Sequence, residues 1–175
     1  MMTIMDGPTA YDEDIYAWSR EQAAVLRRLA ETRRDLPNEL DLEHVAEEIE
    51  DVGRAELRTV ESFLELLLRY LIKLASAPEA RSVRHWRAEV AAQQRALVGD
   101  LKRSMRQLVA LDTVWDTAVR RADAALDEHG DAVLGNLPDA CPFDLDDLLS
   151  APFDVEAAVD RIRHSADLKA DASTR

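Results

Sequence analysis

The chain has 175 residues, a formal net charge of −13 and a composition rich in Leu, Ala, Glu and Arg. This length is enough for one domain with a hydrophobic core, and the many helix formers with few glycines and prolines indicate an all-helical protein. The strong negative charge argues against a general polyanion binder, because it repels nucleic acid and anionic membranes at long range.

The N-terminal region begins with a predicted disordered tail, residues 1–9, which contains Gly7 and Pro8. This tail lacks the basic region and the apolar run of a signal peptide, so a cytoplasmic protein is expected. A first helix is predicted from about residue 10 to residue 34, before the helix-breaking Leu36-Pro37-Asn38. Its apolar seam consists of Tyr11, Ile15, Trp18, Val25 and Leu29, with Gln22 as the one polar member.

The second predicted helix runs from Glu39 to about Ala75, and its beginning has an apolar face. That face is made by Leu42, Val45, Ile49 and Val52. Gly53 follows directly, and two interpretations of it stay open. Either it is a tolerated cost of about 1 kcal/mol relative to Ala, or it marks a kink or the close approach of a neighbouring helix.

The stretch from Thr59 to Ala77 is predicted to be the centre of the fold. It is apolar on most of its circumference, apart from one charged stripe made by Glu61, Glu65, Arg69 and Lys73. Such a surface leaves water only when neighbouring helices cover it, while four charges in so short a span argue against a membrane crossing.

A third helix is predicted after Pro78, to about Ala110, with Gly99 as its weak point, and a fourth from Asp112 to His129. An extended strap, a short helix at Asp144–Ser150 and a C-terminal amphipathic helix follow. The predicted fold is all-α, a helical bundle of four main helices around a long central helix, plus the short and the C-terminal helix. Its predicted parts are the bundle domain at 10–150, the C-terminal helix at 151–168 and a disordered tail at 169–175.

The C-terminal helix carries one modest apolar stripe, which includes Val155, Ala158, Val159 and Ile162. We expect this stripe to be buried, either on the helix's own bundle or through exchange with another chain.

The most acidic stretch, residues 41–51, places His44, Glu47, Glu48 and Asp51 on the side of the helix opposite its apolar face. A histidine and a carboxylate one turn apart can share a divalent metal. Di-metal bundles, however, point their ligands into the core from several helices, and this face points outward. We therefore predict a solvated face and no cofactor. The alternative is a metal-binding domain or metal-assisted hydrolase that uses these four residues.

The third predicted helix is basic, and a basic helix can bind nucleic acid. A short turn at Ser76 would set the second and third helices antiparallel, with Lys102, Arg103 and Arg106 near Asp51, Glu50 and Glu48. We therefore predict that the basic face neutralises the acidic face within the bundle, and that nucleic acid is not a partner.

Enzymatic motifs are absent from the sequence, which has no Gly-x-Ser-x-Gly, no phosphate-binding glycine loop and no cysteine pair. The single cysteine, Cys141, lies among carboxylates that should raise its pKa. The leading hypothesis is a non-enzymatic interaction module that binds a protein partner or itself, and no membrane. Its candidate surface comprises Glu47, Glu48, Asp51 and Arg95.

Several short motifs follow each other in a specific order along the chain. They are YDEDIYAW at 11–18, LDLE at 40–43, EEIEDVGR at 47–54, LIK at 71–73, HWR at 85–87, QR at 94–95 and LPDACPFDL at 137–145. Over roughly residues 11–150 they resemble the bacterial family catalogued as domain of unknown function number twenty-nine. The resemblance implies an all-helical domain and brings no established activity. The sequence departs from the family pattern at Tyr70, Leu74 and His85, where histidine, an aromatic residue and serine are expected.

Overall fold

The computed structural model describes residues 10–33, 35, 37 and 40–173. Its described residues form helices and irregular segments without a β-strand, which confirms the all-α class. The helices are α1 Ala10–Glu13, α2 Ile15–Thr32, α3 Leu42–Ser76, α4 Val83–Asp100, α5 Leu111–Asp127, α6 Leu145–Leu149 and α7 Val155–Ser173, with a 3-10 turn at Arg103–Met105. No described helix is both long and apolar enough to cross a bilayer.

Tertiary contacts divide the chain into two compact units. The first comprises the chain up to Thr59 together with Leu101–Val109, and the second comprises Val60–Asp100 together with the chain from Ala110 onward. Helix α3 therefore contributes its residues 42–59 to the first unit and 60–76 to the second. This division runs through the predicted 10–150 domain, because it follows contacts in space and the prediction followed chain order.

The first unit is a helical hairpin made by α2 and the first half of α3. Asp14 begins α2 by accepting a hydrogen bond from the Ala17 amide at 3.0 Å. The same carboxylate accepts hydrogen bonds from the Ser104 amide at 3.2 Å and from the Ser104 hydroxyl at 2.7 Å. Asp14 therefore both caps α2 and holds the segment Leu101–Val109 at the start of the hairpin.

Small residues line the contact between the two helices of the hairpin. Ser19 and Ala23 are fully buried on α2, and Ala46 is fully buried on α3. A Cβ atom added at Gly53 would overlap the Ser19 hydroxyl and would lie 3.4 Å from the Tyr16 ring. The close-approach interpretation of Gly53 is therefore confirmed, because this glycine lets the two backbones come together.

The second unit contains the large apolar core. Leu64, Leu67, Leu68, Leu71 and Ile72 of α3 have no exposed surface, as the apolar stretch predicts. Other helices of the unit contribute buried side chains: Trp86, Val90 and Leu97 of α4, Trp115, Ala118, Ala122 and Leu126 of α5, Leu148 of α6 and Ile162 of α7. Here α3 is covered on most of its circumference, which is what its composition requires.

Helix α4 ends at Asp100, ten residues before its predicted end. Lys102 is extended and Arg103 begins a 3-10 turn, so these cations leave the helical register. Glu50 and Asp51 have other partners, Arg27 and Arg54. The predicted charge pairing of the second and third helices is therefore wrong, because it assumed one uninterrupted helix through Gly99.

Helix α7 docks on its own chain, which is one of the two fates expected for the C-terminal stripe. Ala158, Val159, Ile162 and Ala166 are buried. The Arg163 guanidinium donates to the carbonyls of Leu74 and Ala75 at 3.3 and 3.2 Å and so satisfies the C-terminal end of α3. The Lys169 ammonium bonds the Leu137 carbonyl at 2.9 Å. The helix continues through residue 173, into the predicted tail, whereas residues 1–9, 174 and 175 lie outside the described part.

Candidate functional site

One flank of the α2–α3 hairpin is held by ion pairs centred on Arg27. The Arg27 guanidinium donates to both Glu50 carboxylate oxygens at 2.7 and 3.2 Å and to Glu43 at 3.0 Å. Arg54 extends the network to Glu50 and Asp51. Hydrogen bonds from Arg27 lower the pKa of Glu50. This bidentate geometry links the two helices in one register. The sequence carries no local signal for this network, because Arg27 and its partners are distant in the chain.

The opposite flank of the hairpin is apolar. At 100° per residue, Trp18, Val25 and Leu29 lie on the side of α2 away from Arg27. Val45, Ile49 and Val52 lie on the side of α3 away from Glu43 and Glu50 by the same count. Because Arg27 joins the charged flanks of both helices on one face, the two apolar flanks must share the other face.

This apolar face is only partly covered. Val25 is 44% exposed, Val45 40% and Val52 41%, while Leu29 and Ile49 are half-buried.

These side chains belong to the apolar seam and the apolar face predicted from the sequence, but the structure leaves Val25, Val45 and Val52 exposed. The small residues Ser19, Ala23, Ala46 and Gly53 allow closer approach, so they occupy the helix contact and turn the larger side chains to its edge.

The four residues of the metal-site alternative do not converge. His44 Nδ1 lies 2.5 Å from Asp41 Oδ2, and Asp41 also accepts the His44 amide as the cap of α3. The contact with Asp41 raises the pKa of His44, while Asp51 is paired with Arg54. Glu47 and Glu48 are exposed. Across the described ranges, no three His, Cys, Asp or Glu side chains are arranged to hold a metal.

The candidate interaction surface from the sequence is divided between the two units. Glu47, Glu48 and Asp51 lie on the first half of α3, whereas Arg95 is exposed on α4 in the second unit.

The single cysteine is held in a protected position. Burial raises the pKa of the Cys141 thiol to about 11, with smaller contributions from Asp112 and Asp147. The Cys141 amide donates to Asp112 at 2.8 Å. The predicted direction is correct, but its main cause is burial and not the neighbouring carboxylates. At neutral pH the thiol is therefore protonated and a poor nucleophile.

Comparison with known proteins agrees with the ordered motifs of the sequence. Residues 10–154 match the family model described as Domain of unknown function DUF29. A crystal structure of an alpha-helical protein of unknown function from Rhodospirillum rubrum is similar, with a TM-score of 0.81 and 39% sequence identity. The match covers 88% of this chain and 98% of that chain. No curated protein matches the chain. Because the family model spans most of the chain, this protein belongs to the DUF29 family.

Proposed function

We propose that the protein is a non-enzymatic interaction module that self-associates through the apolar face of the α2–α3 hairpin. The observation that carries this proposal is the exposure of Val25, Val45 and Val52 on one face, opposite the Arg27 ion pairs. Apolar side chains that are exposed together on one face are a feature of protein interaction sites.

Charge complementarity favours a second copy of the chain as the occupant. Glu21, Val25 and Arg28 follow each other along the outward side of α2 at spacings of four and three residues. Neither Glu21 nor Arg28 takes part in an ion pair within the described chain. If a second α2 lies antiparallel about a twofold axis near Val25, Glu21 of each copy meets Arg28 of the other. Twofold interfaces require such self-complementarity.

The two exposed valines of α3 lie on either side of this twofold axis along the hairpin. Arg27 bonds both Glu43 and Glu50, so the neighbouring Val25 lies at a height between Val45 and Val52 along α3. The three valines therefore lie at similar heights along the hairpin, and a second copy that packs across the apolar face would contact all three. The net charge of −13 opposes association, but salt screens such repulsion beyond about 8 Å at physiological ionic strength.

Sedimentation equilibrium of the full chain and its Val25→Asp variant tests the proposal. We expect a dimer for the parent chain and an association constant at least about tenfold lower for Val25→Asp, because the interface would bury an unpaired carboxylate. Val98→Asp is the matched control, since Val98 is 48% exposed on α4 and lies outside the hairpin. This control should dimerise like the parent, and circular dichroism should show both variants folded.

Charge-reversal variants of Glu21 and Arg28 test the proposed twofold symmetry of the dimer. Glu21→Arg or Arg28→Glu alone should weaken the dimer about fivefold, because each creates two repulsive contacts across the axis. The double variant should recover the parent affinity, since it restores both pairs with their signs exchanged.

Two results would overturn self-association through this face. One is a chain that stays monomeric at about 1 mM, where even about 4 kcal/mol of association would be visible. The other is a dimer that Val25→Asp and Val98→Asp affect equally. Binding of a basic amphipathic peptide to a monomeric chain, abolished by Val25→Asp, would assign the face to a helix of a different protein.

A further inference from the structure

A cavity of about 320 Å³ opens in the second unit, beside the C-terminal part of α3. Its walls come from Lys73 of α3, from residues 80–82 and Trp86 at the start of α4, and from residues at and after the end of α5. This volume lies at the lower end of the range for small-molecule sites. All residues that line the cavity belong to the second unit and none of them belongs to the hairpin face, so this inference is independent of the proposed self-association.

Lys73 is the most unusual group in the cavity. Its ammonium lies 4.6 Å from the centre of the Trp86 ring and 5.6 Å from the centre of the Tyr70 ring. Within the described chain it forms neither a hydrogen bond nor an ion pair. Burial lowers the pKa of Lys73 and the nearby Arg69 acts in the same direction, whereas attraction from Glu128 opposes them. No carboxylate oxygen of the described residues lies within ion-pair distance of the ammonium, so this partly desolvated cation still has donor capacity for an anion.

The other polar walls of the cavity suit the same kind of ligand. Arg81 is exposed at its edge and has no ion pair among the described residues, and Ser82 adds a hydroxyl donor. His129 Nδ1 lies 3.1 Å from the Ala125 carbonyl oxygen, so in the neutral ring that nitrogen carries the proton and donates. Asp131 is the one acidic side chain in the lining. The two cations of the wall therefore outnumber its single carboxylate.

Apolar surface lies next to these donors. Leu126 and Trp86 both line the cavity and belong to the core of the second unit. Ligand sites typically combine such apolar walls with a few convergent polar groups.

We propose that this cavity binds a small organic anion, a carboxylate or a phosphate carried on a flat apolar group. The Lys73 ammonium and the Arg81 guanidinium pair with the oxyanion, and the Ser82 hydroxyl donates a hydrogen bond to it. The apolar part of the ligand packs against Leu126 and Trp86.

Chemical-shift titration of the full-length ¹⁵N-labelled chain, read at the Trp86 indole N–H, tests this site. Benzoate and phenyl phosphate distinguish the two headgroups, while benzylamine and benzyl alcohol keep the ring and remove the negative charge. We expect saturable shifts with one or both anions, at a Kd of about 1 mM or below, and no saturable shift with the other two compounds.

Variants then connect the binding to its proposed groups. Lys73→Met should raise the Kd of the bound anion about tenfold, because a charge-assisted partner is lost, and Arg81→Gln should raise it about threefold. Lys73→Arg keeps the charge and should retain most of the affinity. Arg84→Gln is the matched control, because Arg84 is exposed on α4 and does not line the cavity.

The proposal is overturned if neither anion shifts the Trp86 signal at about 10 mM, a concentration at which a site with a Kd of 1 mM is almost filled. It is also overturned if benzylamine binds as tightly as benzoate, or if Lys73→Met and Arg84→Gln have the same effect. Thermal melts of each variant show whether a lost signal reflects unfolding instead, and where Lys73→Met does not fold, equal affinities of Arg81→Gln and Arg84→Gln would overturn the proposal.

Discussion

The two halves of helix α3 have the same helical periodicity but different cores. Residues 42–59 bury mainly small positions such as Ala46 and Gly53, against Ser19 and Ala23 of α2. Residues 60–76 bury a continuous series of leucines, against several helices of the second unit. When a helix packs against a single neighbour, the buried stripe is the one whose small residues let the two backbones come closest. Where several neighbours surround a helix, they cover large side chains on most of its circumference.

This difference between the halves has an energetic consequence. A fully buried leucine or isoleucine contributes about 1.5–3 kcal/mol relative to its exposed state. A valine at the edge of the hairpin, with about 40% of its surface exposed, contributes less to the monomer. The second unit should therefore rely on apolar burial, and the hairpin should rely more on close backbone contact, capping and ion pairs.

The largest contrast should appear on truncation of side chains in the two halves. Leu67→Ala or Leu71→Ala should lower the free energy of unfolding by about 2–5 kcal/mol, since each removes a fully buried side chain. Val52→Ala should lower it by less than about 0.5 kcal/mol, provided that the protein is dilute enough to be monomeric. Urea unfolding of the three variants measures both values. An equal cost for Val52→Ala and Leu67→Ala would remove the distinction between the two halves.

Close backbone contact in the hairpin can be tested at Gly53 and Ser19. Gly53→Ala would push the Ser19 hydroxyl away from the Tyr16 carbonyl, which it bonds at 2.9 Å. A buried unpaired hydroxyl costs about 1–3 kcal/mol, whereas alanine in place of a helical glycine gains about 1 kcal/mol. Gly53→Ala should therefore destabilise the parent chain and stabilise the Ser19→Ala variant.

A double-mutant cycle, followed by urea unfolding, measures this change of sign. If the two substitutions prove additive, the Ser19 hydroxyl does not limit the approach of the helices. Ala55→Gly serves as a control, because Ala55 is exposed on the same helix and should show the ordinary helical cost of glycine alone.

A further effect concerns Asp14, the cap of the hairpin. Asp14→Ala should cost about 0.5–2 kcal/mol through the lost cap of α2. Burial opposes ionisation of Asp14, but hydrogen bonds from Ser104 and Ala17 outweigh it and lower its pKa. A carboxylate with a lowered folded pKa stabilises the protein fully above its unfolded pKa, near 3.9, and loses that contribution as pH falls through the folded value.

Asp14→Asn separates the charge from the cap. Asparagine is also a good N-cap, so this variant should retain most of the helix capping but lack the acid-dependent contribution. Unfolding measured from pH 7 down to about pH 2 should therefore show a shallower loss of stability for Asp14→Asn than for the parent. Parallel curves for the two proteins would show that the Asp14 charge contributes nothing.

Much of the fold could be predicted from local signals. The proline at residue 78 and the glycine at residue 130 lie beside observed helix boundaries, and the stretch from Thr59 to Ala77 forms the centre of a core. The third helix was predicted to reach about Ala110 with Gly99 as its weak point, and it ends at Asp100, because the surroundings of a glycine decide whether a helix continues through it. The ordered motifs from residue 11 to residue 145 identified the family for a different reason, because they are specific as a series.

By itself the sequence determined the all-α class, the order of the main helices and the family, because helical periodicity, helix breakers and motif order are properties of the chain. Only the tertiary structure decided which stripe of each helix is buried. The exposure of Val25 and Val45 follows from the close packing of small residues on two separate helices. Likewise, the Lys73 cavity exists because three chain segments meet at one place, and periodicity within a single helix carries no information about such a meeting.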